Sequence, residues 1–449
     1  MNLIYDIKDK PPIGQVILFA IQQLLAIMAA TIAVPAVVNS FCIENALGYS
    51  GNPLSASAAL FGAGCGTFIY LLFTKSKSPV FLGSSFGFLG SMMSAFAGAV
   101  SMQAGLAGLI IGAVMAGLVY VVIAIVVKFT GVNWINKIMP PVVIGPTVAI
   151  IGLSLAGNAV GDFTNAQGGS VYVAMICGLV TLFTVILCST YGKKMAKLIP
   201  FFIGILAGYL AAVIFYLIGN ATGNDALKVI NFAAFENMSS IIALPDFTFL
   251  RADFSQISAG YIVTLFAAYA PVAFVVFAEH LSDHKNLSTI VGRNLLDDPG
   301  LTRTLLGDGI GSMVGAFFGG ACNTTYGESI ACVGITRNAS IISIWGAGVA
   351  CIIFSLITPL VCFLETIPSC VMGAVCFTLY GFIASSGFKM FQKVDLNQNK
   401  NLFTASVIFI AGVGGLTVSF GNVTIITSAC ALILGIIVNQ VLSKEKAEQ

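Results

Sequence analysis

Most of the 18 acidic residues in this sequence fall in loops and tails, but four stand in or against long apolar runs: Glu279, Asp283, Asp308 and Glu328. A carboxylate kept away from water is costly, and where it persists in apolar surroundings it is a functional candidate. Glu279 and Asp283 are i and i+4, so a helix would set them on one face. Two carboxyl groups that close repel each other and lose hydration together, so one of them is expected to hold a proton at neutral pH. Such a group can gain and lose its proton as access changes, which is what coupling a carrier to a proton gradient requires. Glu328 follows Tyr326-Gly327 directly. Asp308 sits within a turn of a segment start and reads as a capping or packing residue. The two histidines, His280 and His284, read as solvated or packing residues beside a loop.

Acids without a neighbouring Lys or Arg in the apolar runs would repel an anion. They suit a neutral, planar molecule with several N–H donors, since carboxylates accept from N–H and backbone N–H groups can donate to its carbonyls. Phe86 and Tyr326 can flank a flat ring. A metal-cation carrier would also use acids but needs further oxygen ligands. Neither a phosphate-binding loop nor a hydrolase signature is present, so nothing calls for an enzyme, a cofactor or a metal.

The elements that must carry these residues follow from composition. Of 449 residues, 58% are hydrophobic and 8% charged. A soluble surface needs about 25% charged residues, which excludes an ordinary cytosolic enzyme and a disordered chain alike. The 48 glycines suit helices packed closely in lipid. A net charge of +2, with basic residues in short loops, gives no nucleic-acid surface. The eleven cysteines carry no CxxC pair and read as small buried hydrophobes. The first apolar run lacks a cleavage site and reads as a retained span.

Apolar runs of about 20 residues are long enough to cross the hydrocarbon. They predict spans at 14–38, 56–74, 79–98, 104–127, 138–157, 169–190 and 199–219, then 258–281, 304–321, 327–340, 341–363, 369–388, 402–420 and 422–443: about fourteen crossings, seven in each half. With both termini cytoplasmic, all but Lys228 and Arg251 of the 20 basic residues fall on the inner side.

The halves resemble each other. Ser84-Ser85-Phe86-Gly87 matches Thr324-Thr325-Tyr326-Gly327, and Pro140 with Gly145 matches Pro368 with Gly373. An odd number of spans per half turns one half upside down relative to the other. Inverted repeats with interrupted spans at matching positions point to a secondary transporter with its site at mid-membrane. The third and tenth spans each begin with polar, glycine-bearing sequence, read as an extended segment and then a half-helix. The hydroxyl pair is expected to cap that half-helix, and its N-terminus to meet a substrate acceptor.

These residues carry a family likeness. Leu82-Gly83-Ser84-Ser85-Phe86, Ala278-Glu279-His280-Leu281, Asp298-Pro299-Gly300-Leu301, Asn323-Thr324-Thr325-Tyr326-Gly327-Glu328 and Ile335-Thr336-Arg337 resemble the uracil permease branch of the nucleobase–ascorbate transporter family, and the resemblance runs from Pro11 to about Ser443. It implies an all-α polytopic membrane fold of 14 transmembrane segments, built as a 7+7 inverted repeat with short β-strands in the discontinuous spans 3 and 10. Spans 1–4 (residues 1–130) and 8–11 (258–366) would form a core domain. Spans 5–7 (131–220) and 12–14 (367–449, with a cytoplasmic tail) would form a gate domain, joined through an extracellular connector (221–257). It further implies proton-driven nucleobase uptake across a plasma membrane, bacterial inner membrane by preference, by a protein that is often a homodimer.

Carried over by position, Glu279 and Glu328 would hold the pyrimidine edge, and the backbone N–H groups of Phe86 and Gly327 its carbonyl oxygens. Tyr326 would line the ring, with Ala30 and Tyr380 as further contacts, and Glu279 with Asp283 would carry the proton. The chain departs from the family where Asp283 replaces a histidine of the uracil branch, as the purine branch does, and where Gln23 replaces a first-span histidine. Uracil is the expected substrate. Xanthine or another purine is the alternative, and an anion transporter of related fold is disfavoured by the acids.

Overall fold

The computed structural model describes residues 3–44, 52–131, 133–193, 195–236, 238, 240–392, 394–420 and 423–444. Lys194, Lys393 and Lys446, counted above among the inner-facing cations, and the tail from 445 lie outside them. The elements run α1 (Ile13–Glu44), α2 (Ala56–Phe73), β1 (Leu82–Ser84), α3 (Leu89–Ala97), α4 (Met102–Thr130), α5 (Pro141–Ser154), α6 (Ala156–Thr164), α7 (Val171–Tyr191) and α8 (Pro200–Thr222). There follow α9 (Ala259–Val291), α10 (Leu301–Gly319), β2 (Asn323–Thr325), α11 (Gly327–Thr336), α12 (Ile341–Leu356), α13 (Thr358–Glu365), α14 (Ser369–Phe391), α15 (Asn399–Val413), β3 (Val418–Phe420), β4 (Val423–Ile425) and α16 (Thr427–Val441). The chain is mostly helical. Among the described residues, eight helices are long and apolar enough to cross a membrane, with α5 and α6 together counted as one.

The helices begin and end where local chemistry requires. The hydroxyls of Ser55, Ser101 and Ser258 cap α2, α4 and α9 by accepting from backbone N–H groups three residues on. Gly292 and Gly320 end α9 and α10 at φ of +68° and +77°, a conformation in which a side chain would be strained.

Besides the third and tenth, four expected spans are not single helices. The run 138–157 is broken at Leu155 into α5 and α6, and 341–363 at Ile357 into α12 and α13. The second break has a simple cause: Pro359 has no N–H for the carbonyl four residues back and its ring crowds that carbonyl, and Ile357 is extended at φ −86°, ψ 101°. Expected spans 402–420 and 422–443 each give a half-length helix and one strand of the antiparallel pair β3–β4, in register Val418↔Ile425. Gly414 and Gly415 terminate α15 ahead of that hairpin.

Lipid tails are as apolar as leucine, so helices in a bilayer associate by close packing of small residues. Here α2 lies against α10 with Gly62 facing Gly315 and Gly66 facing Gly311. A Cβ built on Gly66 would sit 2.8 Å from the Gly311 carbonyl oxygen, and one on Gly311 would sit 2.9 Å from that of Gly66. A second crossing of this kind joins α5 to α14 at Gly145 and Gly387. Around the first crossing pack α4, α12, α1 and α9; around the second pack α6, α7, α8 and α15. Apolar side chains such as Val122, Leu187, Leu210 and Ile410 cover the outside, where lipid rather than water is the solvent for a multi-pass protein.

The polar starts of the third and tenth expected spans meet in the interior. β1 and β2 pair antiparallel, in register Leu82↔Thr325, Gly83↔Thr324 and Ser84↔Asn323. The ladder continues with Ser85 N–H donating to the Cys322 carbonyl (2.8 Å) and Tyr326 N–H to that of Phe81 (3.3 Å). Extended backbone this deep must be satisfied by protein. Thr67 Oγ1 accepts from Leu82 N–H (2.9 Å), Ser329 Oγ accepts from Phe81 N–H (3.0 Å), and the Ser312 hydroxyl donates to the Asn323 carbonyl. The Asn323 amide in turn donates to the Gly62 carbonyl (3.1 Å), so the glycine crossing and the ladder are one assembly.

Candidate functional site

Each strand ends at a half-helix. After β1 the chain makes a 3-10 turn over Phe86–Phe88 and enters α3; after β2 it enters α11 at Gly327. Neither start has a side-chain cap, so the expected capping by the hydroxyl pairs does not occur. Thr325 Oγ1 instead donates to Asp283 Oδ2 (2.8 Å), and the Tyr326 hydroxyl donates to the Ser84 carbonyl (2.6 Å). Uncapped helix starts present free N–H groups and the positive end of the helix dipole.

Both starts open on one cavity of about 370 Å³, within the range of small-molecule sites. Glu279 and Asp283 reach it from α9, Gly327 and Glu328 from α11, and Phe86 from the turn before α3. Glu279 is exposed to the cavity, Asp283 and Glu328 are half-buried, and Phe86 is buried. The opposite wall is mainly apolar, with Leu379, Phe382 and Ile383 of α14 and Phe201 of α8, and has Ser386 and Lys197 as its polar members. The cavity therefore has one acidic, N–H-bearing side and one mainly apolar side, the first from helices around the α2–α10 crossing and the second from helices around the α5–α14 crossing.

Three residues named from the sequence stand elsewhere. The Tyr326 ring lies against Gly83, where a Cβ would come within 2.5 Å of it, and is not part of the cavity lining. Ala30 is buried inside the helix packing, and Ala26, one turn earlier on the same face of α1, lines the cavity in its place. Tyr380 is buried behind the wall, its ring edge-on to Phe86 at 5.9 Å, while its neighbour Leu379 faces inward. The exposed Lys197, in the helical turn before α8, also lines the cavity, and the apolar-run reading had no signal for it. Ser282 and Ser386 had none either.

The histidines and Asp308 take the packing role, one of the two readings the sequence left open for each. None is near solvent: His280, His284 and Asp308 are fully buried between α9 and α10. His280 Nδ1 lies 2.7 Å from Asp308 Oδ2 and its Nε2 3.0 Å from Thr304 Oγ1. The His284 ring stacks on that of His280 with centroids 4.1 Å apart. His284 Nδ1 is 2.9 Å from the His280 carbonyl, which only accepts, so Nδ1 carries a proton; Nε2 lies 2.7 Å from the Tyr70 hydroxyl, which donates to Ser78 Oγ (2.8 Å). Their polar neighbours Ser282, Lys285 and Asn286 suggested a loop, but α9 continues to Val291. Its one face carries Glu279 and Asp283 to the cavity, and the adjacent face carries the histidines into the packing. Gln23 of α1 donates to the Ser329 carbonyl (3.2 Å) and steadies the first turn of α11 behind Glu328.

Comparison with known proteins follows the same lines. A family model for a permease family matches residues 14–420. A uracil permease of Bacillus caldolyticus is 38% identical over 443 residues, covering 98% of this chain and 94% of that protein. A uracil permease of Escherichia coli (strain K12) is 33% identical over 435 residues, covering 96% and 92%. Among solved structures, the transmembrane domain of a cyanobacterium bicarbonate transporter, BicA, superposes with a TM-score of 0.60 at 17% identity, covering 96% of this chain and 98% of that one. The murine anion transporter Slc26a9 superposes at 0.64 and 11%, covering 97% and 69%. At those identities the likeness is one of fold.

Proposed function

The chain belongs to the nucleobase–ascorbate transporter family of permeases, in its uracil branch, and we propose that it is a secondary transporter importing uracil together with a proton. The observation that carries this reading is the cavity itself, where two acids from separate helices, Glu279 and Glu328, share a wall with two uncapped helix starts. Carboxylates accept from the ring N–H groups of a pyrimidine, and the N–H groups at Phe86 and Gly327 donate to its carbonyls. The anion transporters that share the fold do not extend to substrate class, because three acids line this cavity against a single lysine, Lys197.

The fourteen-segment, inverted-repeat reading is supported by the ladder register. Matching Ser84 with Thr324, as the two hydroxyl–aromatic–glycine runs do, carries the pair Gly83–Thr324 onto the pair Asn323–Ser84, and Leu82–Thr325 onto the bonded Cys322–Ser85. Helices around the α2–α10 crossing form the core domain in this reading, and those around the α5–α14 crossing the gate. The core moves against the gate to expose the cavity to either side, with the termini cytoplasmic and the protein in a bacterial inner membrane as a homodimer. Glu279 is protonated from outside, uracil binds, the core moves, and proton and base leave inward with Asp283 accepting the proton on the way.

The test is uptake of labelled uracil by purified protein in vesicles under an imposed proton gradient. Glu279→Gln is expected to abolish accumulation against a gradient. Accumulation equal to the wild type would overturn the coupling role. Competition by xanthine equal to that by unlabelled uracil would move the substrate to the purine side, which Asp283 on the cavity wall would favour.

A further inference from the structure

A second cavity, of about 250 Å³, lies on the same seam between α1 and α14 as the acidic site. Helix α1 lines the acidic cavity at Ala26 and the second one at Ile32, Pro35 and Ala36. Helix α14 lines the second cavity at Ser369 and Met372 and the acidic one from Leu379 onward. The order along the chain is reversed between the two helices, as antiparallel neighbours on one seam require, so the cavities lie one beyond the other. Between them stand Ala29 and Ala30 of α1 and Val375 and Cys376 of α14, all fully buried. From Ala26 to Ile32 the rise is about 9 Å, and from Met372 to Leu379 about 10 Å, at roughly 1.5 Å per residue. The partition is just under two helical turns thick.

Each cavity takes one wall from either body of helices. The second has α1 and the start of α2 on one side, and Asp162 of α6 with α14 on the other. A cavity between two bodies that move against each other opens or closes as they do, whereas one inside a single body does not. The second cavity also belongs to the side of the connector. Arg251 lines it and donates to Asp246 Oδ2 (2.5 Å) and to the Pro53 carbonyl (3.1 Å), fixing the connector to the chain that leads into α2. Among the described residues, Asp162, Asp246 and Glu365 line it against one base, Arg251, which matches the three acids and one lysine of the acidic cavity.

We infer that the second cavity is the external mouth of the transport path, shut off from the acidic site here by the Ala29–Ala30 and Val375–Cys376 partition, and that its acids admit neutral or cationic solutes and turn anions away. The inference rests on the reading of the chain as a transporter whose two bodies move. In this structure the acidic cavity faces the cytoplasm, and solute and proton enter by the external mouth once the bodies shift and the partition parts.

The experiment adds a cysteine at Ala36, on the α1 wall of the mouth, or at Ser386, on the α14 wall of the acidic cavity, in the full-length protein in sealed vesicles of known orientation. Membrane-impermeant thiosulfonates, one cationic and one anionic, are applied to each face without substrate, and the modified peptide is identified by mass. Ala36→Cys is expected to react from the extracellular face alone, and Ser386→Cys from the cytoplasmic face alone. At Ala36→Cys the cationic reagent should outpace the anionic one, each taken relative to its rate with a free thiol in solution. Modified Ala36→Cys should lose uracil uptake yet still bind uracil offered from the cytoplasmic face. Reaction of Ala36→Cys from the cytoplasmic face, equal relative rates for the two reagents, or uptake unchanged by the modification would overturn the inference. The expected sidedness in a protein that takes up no uracil even when unmodified would overturn the uracil reading and leave the mouth assigned.

Discussion

Gly66 offers the sharpest perturbation of the assembly that holds the site. It carries no chemistry of its own, yet a Cβ added there would lie 2.6 Å from Asn323 Nδ2 and 2.8 Å from the Gly311 carbonyl oxygen. Non-bonded atoms settle near 3.5 Å, so Gly66→Ala demands a separation of about 0.7–0.9 Å between α2 and its neighbours. Neither neighbour can yield cheaply. Gly311 is helix backbone, and the Asn323 amide is tied to the Gly62 carbonyl. Overpacking of this kind costs about 1–3 kcal/mol, and here the displacement is passed through Asn323 to β2 and so to Glu328 in the first turn of α11. Gly66→Ala should lower the thermal unfolding temperature in detergent and weaken uracil binding together. Gly157→Ala is the control, since nothing lies within 4 Å of a Cβ there. Equal stability and equal affinity in the two variants would refute the claim that the glycine crossing sets the strand.

Further perturbations separate the parts of the site. His280→Ala leaves Asp308 buried without the imidazole that bonds it, and a buried polar group left without its partner costs about 1–3 kcal/mol, to be read as lost thermal stability even without substrate. Tyr326→Phe removes one hydrogen bond to the Ser84 carbonyl, worth about 1 kcal/mol of stability. It should leave uracil affinity nearly unchanged in a binding titration, because the ring is not on the cavity wall. At the membrane surface, the hydrogen bond from Lys77 holds the Asp298 carboxyl below the usual carboxylate range. That contribution is present above the ordinary carboxylate pKa and is lost as pH falls through the lower, folded-state value. Asp298→Asn should therefore flatten the acid limb of a stability-against-pH curve measured in detergent.

The sequence was most legible where one physical rule acted alone. Long apolar runs announced α1, α4, α7 and α8, because crossing hydrocarbon demands length and nothing else. The polar, glycine-bearing starts at Ser84 and Thr324 announced extended backbone, and the structure pairs them. Legibility failed where tertiary partners decide. The polar stretch of α9 from Ser282 to Ser288 looked like a loop, since pattern alone cannot reveal that His280, His284 and Asp308 satisfy one another. Ala30 and Tyr380 show the same limit at finer grain: the helix was identified, but which turn or which side meets the cavity depends on packing that apolar sequence leaves open. The hairpin β3–β4 had a signal in Gly414-Gly415, overridden by the apolar residues around it.

The two-stranded ladder leaves neither half of the chain in possession of a whole pocket. Each contributes one edge, one acid-bearing or aromatic lip and one row of glycines, and each is meaningless without its counterpart. A change in one strand is thus felt at once in the other, so the two edges can drift over generations only in step. The floor of the pocket is in this sense a joint holding, inherited by both halves and divisible by neither.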